Sequence, residues 1–355
     1  MAGMVAGVPG QGGAAWAVLQ YALGLQRLGH ELLLVEQVDR LEPAAPRFLA
    51  IARRFGLNAT MIERGSGRTA GQAGPVEADL LLNLSGVLTD EAVLGGCRHR
   101  VFVDLDPAFT QLWQAAEGID LGLGRHHAFV TVGRAIGTPG CDIPDCGVAW
   151  ITTAQPVVLD EWRWGTRTRH RSATSVGHWR GYGSIGYHGV HYGQRAHSMR
   201  RLLEVPAMTA TPIELALAIH PDERDDLAAL RSHGWRLIEP GSVASTPSAY
   251  RAFVRGSWAE LGVAKEGYVA SRCGWFSDRS VCYLAAGRPV VAQDTGFGDW
   301  LPAGEGVLAY ATGEQAAAAL DRVRADYPRH RRAARALAED VFDSDKVLAR
   351  LLSCL

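Results

Sequence analysis

Four consecutive residues, Ser277, Asp278, Arg279 and Ser280, stand just ahead of an apolar segment in GWFSDRSVCYLAAGRPVV, residues 274–291. The first turn of a helix leaves backbone N–H groups unpaired and carries about half a positive charge, so it attracts anions. Ser277 suits the N-cap, with Asp278 in the first turn and Ser280 three residues on. Arg279 adds a planar fork of donors that matches phosphate oxygens. These residue types at this spacing suggest a pyrophosphate cradle; the plainer reading is a capped helix with a solvated arginine. Gly287 and Pro289 then break the helix ahead of a buried strand.

The elements that must hold this stretch follow from the hydrophobic pattern. The first half opens with a short strand in MVAGV, a glycine-rich loop at 9–13, a helix over about 15–28 and the strand ELLLVEQV. That is βαβ order. Further strands are expected at ADLLLNLSG, HRVFVDLD and AFVTVG, with GVAWITTAQPVV leading out. The second half repeats the plan: strand ATSVGHW, loop RGYGS, a helix over about 194–203, strand IELALAIH, a helix over 222–232 and strand WRLIE. A helix near Tyr250, a strand near ELGVAK, the helix of 277–286 and the strand RPVVAQD complete it. From Glu314 onward charged, Ala-rich helical patterns dominate. Strands alternating with helices argue for parallel sheets covered by helices, an α/β class with two Rossmann-like domains. The expected boundaries are 1–162, 173–330 and a C-terminal helical segment 331–355, with the Arg- and Thr-rich residues 162–172 as linker.

Composition narrows the function. The chain has 355 residues, 47% hydrophobic and 21% charged, enough for a large core in two domains. Lys+Arg number 36 against Asp+Glu 37, and no basic block stands out, so neither a nucleic-acid surface nor a membrane face is indicated. No run of about 18 uncharged apolar residues and no charged leader are visible, so a cytoplasmic, soluble protein is expected. The six cysteines would there stay reduced. Cys141 and Cys146 in CDIPDC have no second pair at metal-like spacing, which favours a structural loop over a zinc site. Only Lys265 and Lys346 are lysines, and Ala, Gly and Arg abound, which reads as the codon bias of a GC-rich bacterium.

The segment 285–291, AAGRPVV, resembles the A-x-G-x-P-V-V signature of GT-B fold glycosyltransferases. GVPGQGGAAW is similar to the first glycine-rich loop of that family, LQRLGHELLLVE to its helix-to-second-strand turn, and SVGHWRGYGS to the loop opening its nucleotide-binding domain. The resemblance covers the whole architecture, with specific motifs over about a fifth of the residues. It implies two Rossmann-like domains facing a cleft, with the C-terminal helix crossing back to the N-terminal domain. It also implies a sugar moved from a nucleoside diphosphate donor, UDP- or dTDP-linked, to an acceptor. The family often has a Glu five residues before the signature glycine to hold a ribose or sugar hydroxyl; Cys282 stands there instead.

Site residues follow by the same resemblance. Gly181, Gly183 and Ser184 in RGYGS, Lys265, the run Ser277, Asp278, Arg279 and Ser280, and the loop Asp294, Thr295 and Gly296 would bind the donor. Lys265 and Arg279 would stabilise charge developing on the departing nucleotide without a metal. Asp294 would accept from sugar hydroxyls beyond a strand end. Gly10, Gln11, Gly12 and Gly13 would face the reacting sugar and acceptor; they do not spell G-x-G-x-x-G, and Glu36 at the second strand is weak support for a dinucleotide.

Asp104 and Asp106 form a D-x-D, a metal motif of the other major glycosyltransferase fold, which two Rossmann-like halves argue against. Asp106 is the candidate general base for the acceptor hydroxyl, with helix capping the equal alternative. His188, His191 and His197 match no common zinc spacing and read as cleft lining or ordinary structure. Trp179, Tyr182 and Tyr187 could stack on a base or sugar. The expected partners are a nucleotide sugar and a small acceptor such as a natural product of antibiotic-type biosynthesis, with an envelope glycan or a lipid-linked acceptor as alternatives, and no cofactor or metal is expected. A nucleotide-sugar epimerase of the same fold and a non-catalytic sugar-nucleotide-binding subunit are the alternatives, and an NAD(P)H-dependent dehydrogenase a weaker one.

Overall fold

The structure is a computed structural model that describes residues 1–165, 168 and 171–355. Part of the expected linker, residues 166, 167, 169 and 170, lies outside the described residues. Trp162, where that linker was expected to begin, is fully buried, its ring 5.0 Å from Trp16 and 6.2 Å from Tyr250.

The first half is built on one sheet. Its spatial order is Thr69–Gly71, Asn58–Glu63, Leu33–Val38, the segment at Ala2, Ala78–Leu84, Cys97–Asp104, Ala128–Thr131 and Trp150–Thr152. All neighbours are parallel except Thr69–Gly71 against Asn58–Glu63. Sequences such as LLVEQV and ADLLLNL lack strict alternation because a parallel sheet is covered on both faces. The expected MVAGV strand shrinks to bridges from Ala2 to Val35 and to Asn83. The chain then turns early, since Glu36 draws it off by accepting N–H bonds from Ala6 (2.9 Å) and Gly7 (2.6 Å). The helix that follows, Gly12–Arg27, buries Trp16, Leu19 and Leu23.

In the second half six parallel strands run in the order Arg236–Leu237, Ile213–Ala218, Ala173–His178, Ala259–Gly262, Val290–Gln293 and Val307–Tyr310. In chain order this is 3-2-1-4-5-6, the doubly wound order whose ligand crevice opens between strands 1 and 4. Those strands are Ala173–His178 and Ala259–Gly262. A hairpin, Ile185–Tyr187 with Val190–Tyr192, is inserted after the first of them and was not evident in the sequence.

The C-terminal helices Tyr327–Leu337 and Ser344–Ser353 return the chain to the first half. Leu348 and Ser344 pack on Gly24 of the first helix, Val157 bridges Asp343, and Arg27 pairs with Asp345 at 3.1 Å. The expected crossing-back helix is therefore present. Among the described residues no helix is long and apolar enough to cross a membrane.

Candidate active site

The crevice at the ends of Ala173–His178 and Ala259–Gly262 opens into a cavity of about 450 Å³ between the two halves. Gly10 and Gln11 line it from the first half; His178, Arg195, Lys265 and Arg279 line it from the second. Both sheets are needed to close it. Gly12 sits where the halves touch, and a Cβ there would come 2.2 Å from the Thr246 carbonyl oxygen. Ala244 and Tyr250 carry the same wall into the cavity.

Two buried guanidinium groups meet the cavity and are not equivalent. Arg279 follows the N-cap Ser277, whose hydroxyl accepts its N–H at 3.2 Å, as expected for a helix over Asp278–Ala285. Its side chain, however, turns under the sheet: Nε donates to Glu260 at 2.5 Å and a terminal nitrogen to the Val176 carbonyl at 3.3 Å. Glu260 is 0% exposed, so most of the charge expected to face a phosphate is committed to an internal ion pair. Arg195 is 8% exposed, and among the described residues its donors go to carbonyls, Val263 at 2.8 Å and His178 at 2.5 Å. No carboxylate among the described residues forms a salt bridge with it. Burial, reinforced by Arg279, pulls the Arg195 pKa down to about 10. An anion in the cavity would restore what burial costs it.

Lys265 and Asp106, both singled out in the sequence, come together across the two halves. Lys265 Nζ donates to both carboxylate oxygens of Asp106, at 2.9 and 2.8 Å. Tyr182 donates to Asp106 at 2.6 Å, and Tyr268 also donates to it. The ammonium lies over the rings of Phe109, Tyr182 and Tyr268, with centroids at 5.0, 4.3 and 5.1 Å, a cation–π cage. Burial pulls the Lys265 pKa down and Asp106 pulls it back up. Both oxygens of Asp106 are taken by a lysine and two tyrosines, so in this structure the carboxylate holds Lys265. Asp104 is equally committed, accepting from Thr110 (2.6 Å), Gln111 (3.0 Å) and Thr131 (2.7 Å). The D-x-D is thus a framework beneath the helix Phe109–Ala115.

The remaining expected residues are distributed unevenly. Gly181 lines the cavity, and the RGYGS loop is clamped by Gln194, which accepts from Gly181 N–H (3.2 Å) and donates to the Gly183 carbonyl (3.2 Å). Ser184 is exposed beyond it. Asp278, Gly10, Gln11 and Gly13 line the cavity, and Ser277 and Ser280 line a small void of about 10 Å³ beneath the helix start. The loop Asp294, Thr295 and Gly296 is turned away: Asp294 pairs with Arg272 at 3.2 Å and accepts Gly296 N–H at 2.9 Å, while Thr295 donates to the Trp275 carbonyl. Cys282, at the family's usual Glu position, is buried against Gln20 of the first helix. Cys146 donates to the Gln111 carbonyl, and Cys141 lies 3.9 Å from that of Ser271. His191 meets Glu266 at 3.0 Å. Trp179 is buried and donates to Asp226 at 3.0 Å, which leaves it no face for a base.

Sequence reasoning missed Arg195, His178 and Tyr268, and it took Tyr182 for a stacking residue, not for a partner of Asp106 and Lys265. The available signal was position: Arg195 opens the first helix after the first strand of its half, Arg195–Arg200, next to the expected ligand crevice.

Two doubly wound layers facing a cleft, with the last helix returned to the first layer, define the GT-B fold. Solved structures share it. A structure of Anabaena HepE in complex with UDP and glucose superposes with a TM-score of 0.60 at 11% identity, over 100% of this chain and 99% of that one. A glycosyltransferase from Rickettsia africae gives 0.54 at 11% identity, over 100% and 96%. AviGT4, a glycosyltransferase involved in avilamycin A biosynthesis, gives 0.52 at 14% identity, over 97% and 89%. No protein-family model and no curated protein sequence matches the chain.

Proposed function

We propose that the protein is a glycosyltransferase that moves a sugar from a nucleoside diphosphate, UDP- or dTDP-linked, to an acceptor hydroxyl held in the cleft. The observation that carries this reading is Arg195: a buried guanidinium without a carboxylate partner among the described residues, facing the switch-point cavity beside the start of the helix Asp278–Ala285. Arg195 and the positive end of that helix would take the diphosphate, and Lys265 would stabilise charge on the departing nucleotide. The protein itself supplies this positive charge, which supports chemistry without a metal. Solved neighbours hold UDP or UDP-glucose, in keeping with such a donor.

On this reading residues 1–162 bind the acceptor, 173–330 the donor, and 331–355 tie the two. A small natural product is the acceptor we favour, as AviGT4 serves avilamycin A biosynthesis. A cytoplasmic site suits six free thiols. The test is calorimetric titration with UDP, dTDP and GDP, with NAD as control, in chelator. One diphosphate is expected to bind, at least tenfold more weakly to Arg195→Gln. Binding of NAD, or of no diphosphate, would overturn the reading.

A further inference from the structure

Behind the loop at residues 9–12 lies a second cavity of about 220 Å³, with Val5, Val8, Ala15, Ile51 and Pro247 in its walls. Pro9, Gly10 and Gln11 belong to the walls of both this cavity and the larger one, so a molecule lying across the loop would touch both. The helix Ala44–Phe55 presents Arg47, Ala50 and Ile51 to it, at the i, i+3 and i+4 spacing of one helix face.

The lining is apolar apart from Gln11, two hydroxyl residues and a single charge, Arg47, and it contains no Asp or Glu. Arg47 donates one hydrogen bond, to the Ala6 carbonyl at 3.3 Å, while its Nε is buried without a partner. The neighbouring Glu36 carboxylate accepts the N–H groups of Ala6 and Gly7 and acts on Arg47 through its field alone, with no salt bridge between the two among the described residues. A buried donor left unmade is costly, and a guanidinium with unused donors favours a carboxylate that can take them.

We propose that this cavity binds the acceptor, and that the acceptor is an apolar small molecule bearing a carboxylate. The carboxylate meets Arg47, the apolar body fills the space against Val5, Val8 and Ile51, and the hydroxyl reaches over Gly10 and Gln11 toward the donor. The part concerning transfer rests on the glycosyltransferase reading of the larger cavity; the binding chemistry does not.

The probe is 2-naphthoate, with 2-naphthamide as its neutral isostere, titrated into the full chain. Naphthoate is expected to bind with a dissociation constant on the order of 1 mM, as suits a fragment of that size, and the amide at least tenfold more weakly. Arg47→Gln should bring the two probes to equal affinity, and Ala50→Trp should remove both, with thermal melting showing that each variant is folded. If Ala50→Trp fails to fold, Arg47→Gln, which adds no bulk, carries the test. No naphthoate binding, equal binding of the amide by the unaltered chain, or indifference to Arg47→Gln would overturn the proposal. Naphthoate binding that depends on Arg47, in a chain that binds no nucleoside diphosphate, would support the cavity and overturn the glycosyltransferase reading.

Discussion

Lys265 Nζ stands 2.9 and 2.8 Å from the two oxygens of Asp106, a residue 159 positions away on the other half of the molecule. Each follows the C-terminal end of a strand in its own sheet, so the pair spans the cleft. If it holds the halves in register, Asp106→Asn and Lys265→Met will not be additive. An interaction energy of about 0.5–3 kcal/mol is expected from urea unfolding of the singles and the double. Additive losses would mean that the pair is only two neighbours in a cage of tyrosines.

Arg279→Ala should act mainly on stability. It leaves the Glu260 carboxylate buried and uncompensated, at a cost of about 3–5 kcal/mol. Adding Glu260→Gln should recover part of the loss in melting temperature. A fully stable Arg279→Ala that no longer binds a diphosphate would return Arg279 to the role expected from the sequence.

Arg195→Gln should do the opposite, because its donors meet carbonyls and not a carboxylate. Losing a charge-assisted hydrogen bond to the diphosphate would weaken binding by about 1.5–3 kcal/mol, with a smaller change in unfolding midpoint. Unchanged UDP affinity would remove Arg195 from the site.

His178 supplies a pH test. Desolvation at the cavity wall, then Arg195 and Lys265, lower its pKa below the ordinary 6.5, although the residue is exposed on its outer side. An anion bound among these groups favours the imidazolium, so the bound pKa rises and binding takes up a proton. Diphosphate affinity should therefore strengthen as pH falls through the bound pKa and level off below the free one. Calorimetry in two buffers of different ionisation enthalpy should show proton uptake between the free and bound pKa of the imidazole, lost in His178→Gln. Proton release, or uptake that survives the substitution, would contradict this.

Gly24 tests the returning helix. A Cβ there would lie 2.4 Å from Leu348 and 2.9 Å from Ser344. Gly24→Ala should cost about 1–3 kcal/mol of overpacking, offset in part by about 1 kcal/mol of helix propensity. Limited proteolysis should then cut earlier between the helices Tyr327–Leu337 and Ser344–Ser353. A net gain in stability would show that the contact yields easily.

The α/β alternation, the capped helix behind Ser277 and its stop at Gly287 were legible in the chain, because periodicity, caps and breakers act within a few residues, whereas the return of the C-terminal helix was implied only by the family resemblance. The hairpin after Ala173–His178 was not, since IGYHGVHY offers little alternation and is held by packing against the first half. Charge pairing was the least legible of all. The spacing around Arg279 places its Cα at a helix start, but Glu260 reaches it from the neighbouring strand; the same spacing could not reveal that Asp294 faces Arg272. Lys265 was visible as a rare lysine and Asp106 as a strand-end acid, yet only the packing of two sheets made them one ion pair and set Arg195 against carbonyls. Local sequence sets which face of an element a side chain occupies; which charge lies opposite is decided by elements that meet after long loops of chain, where burial makes each pairing count.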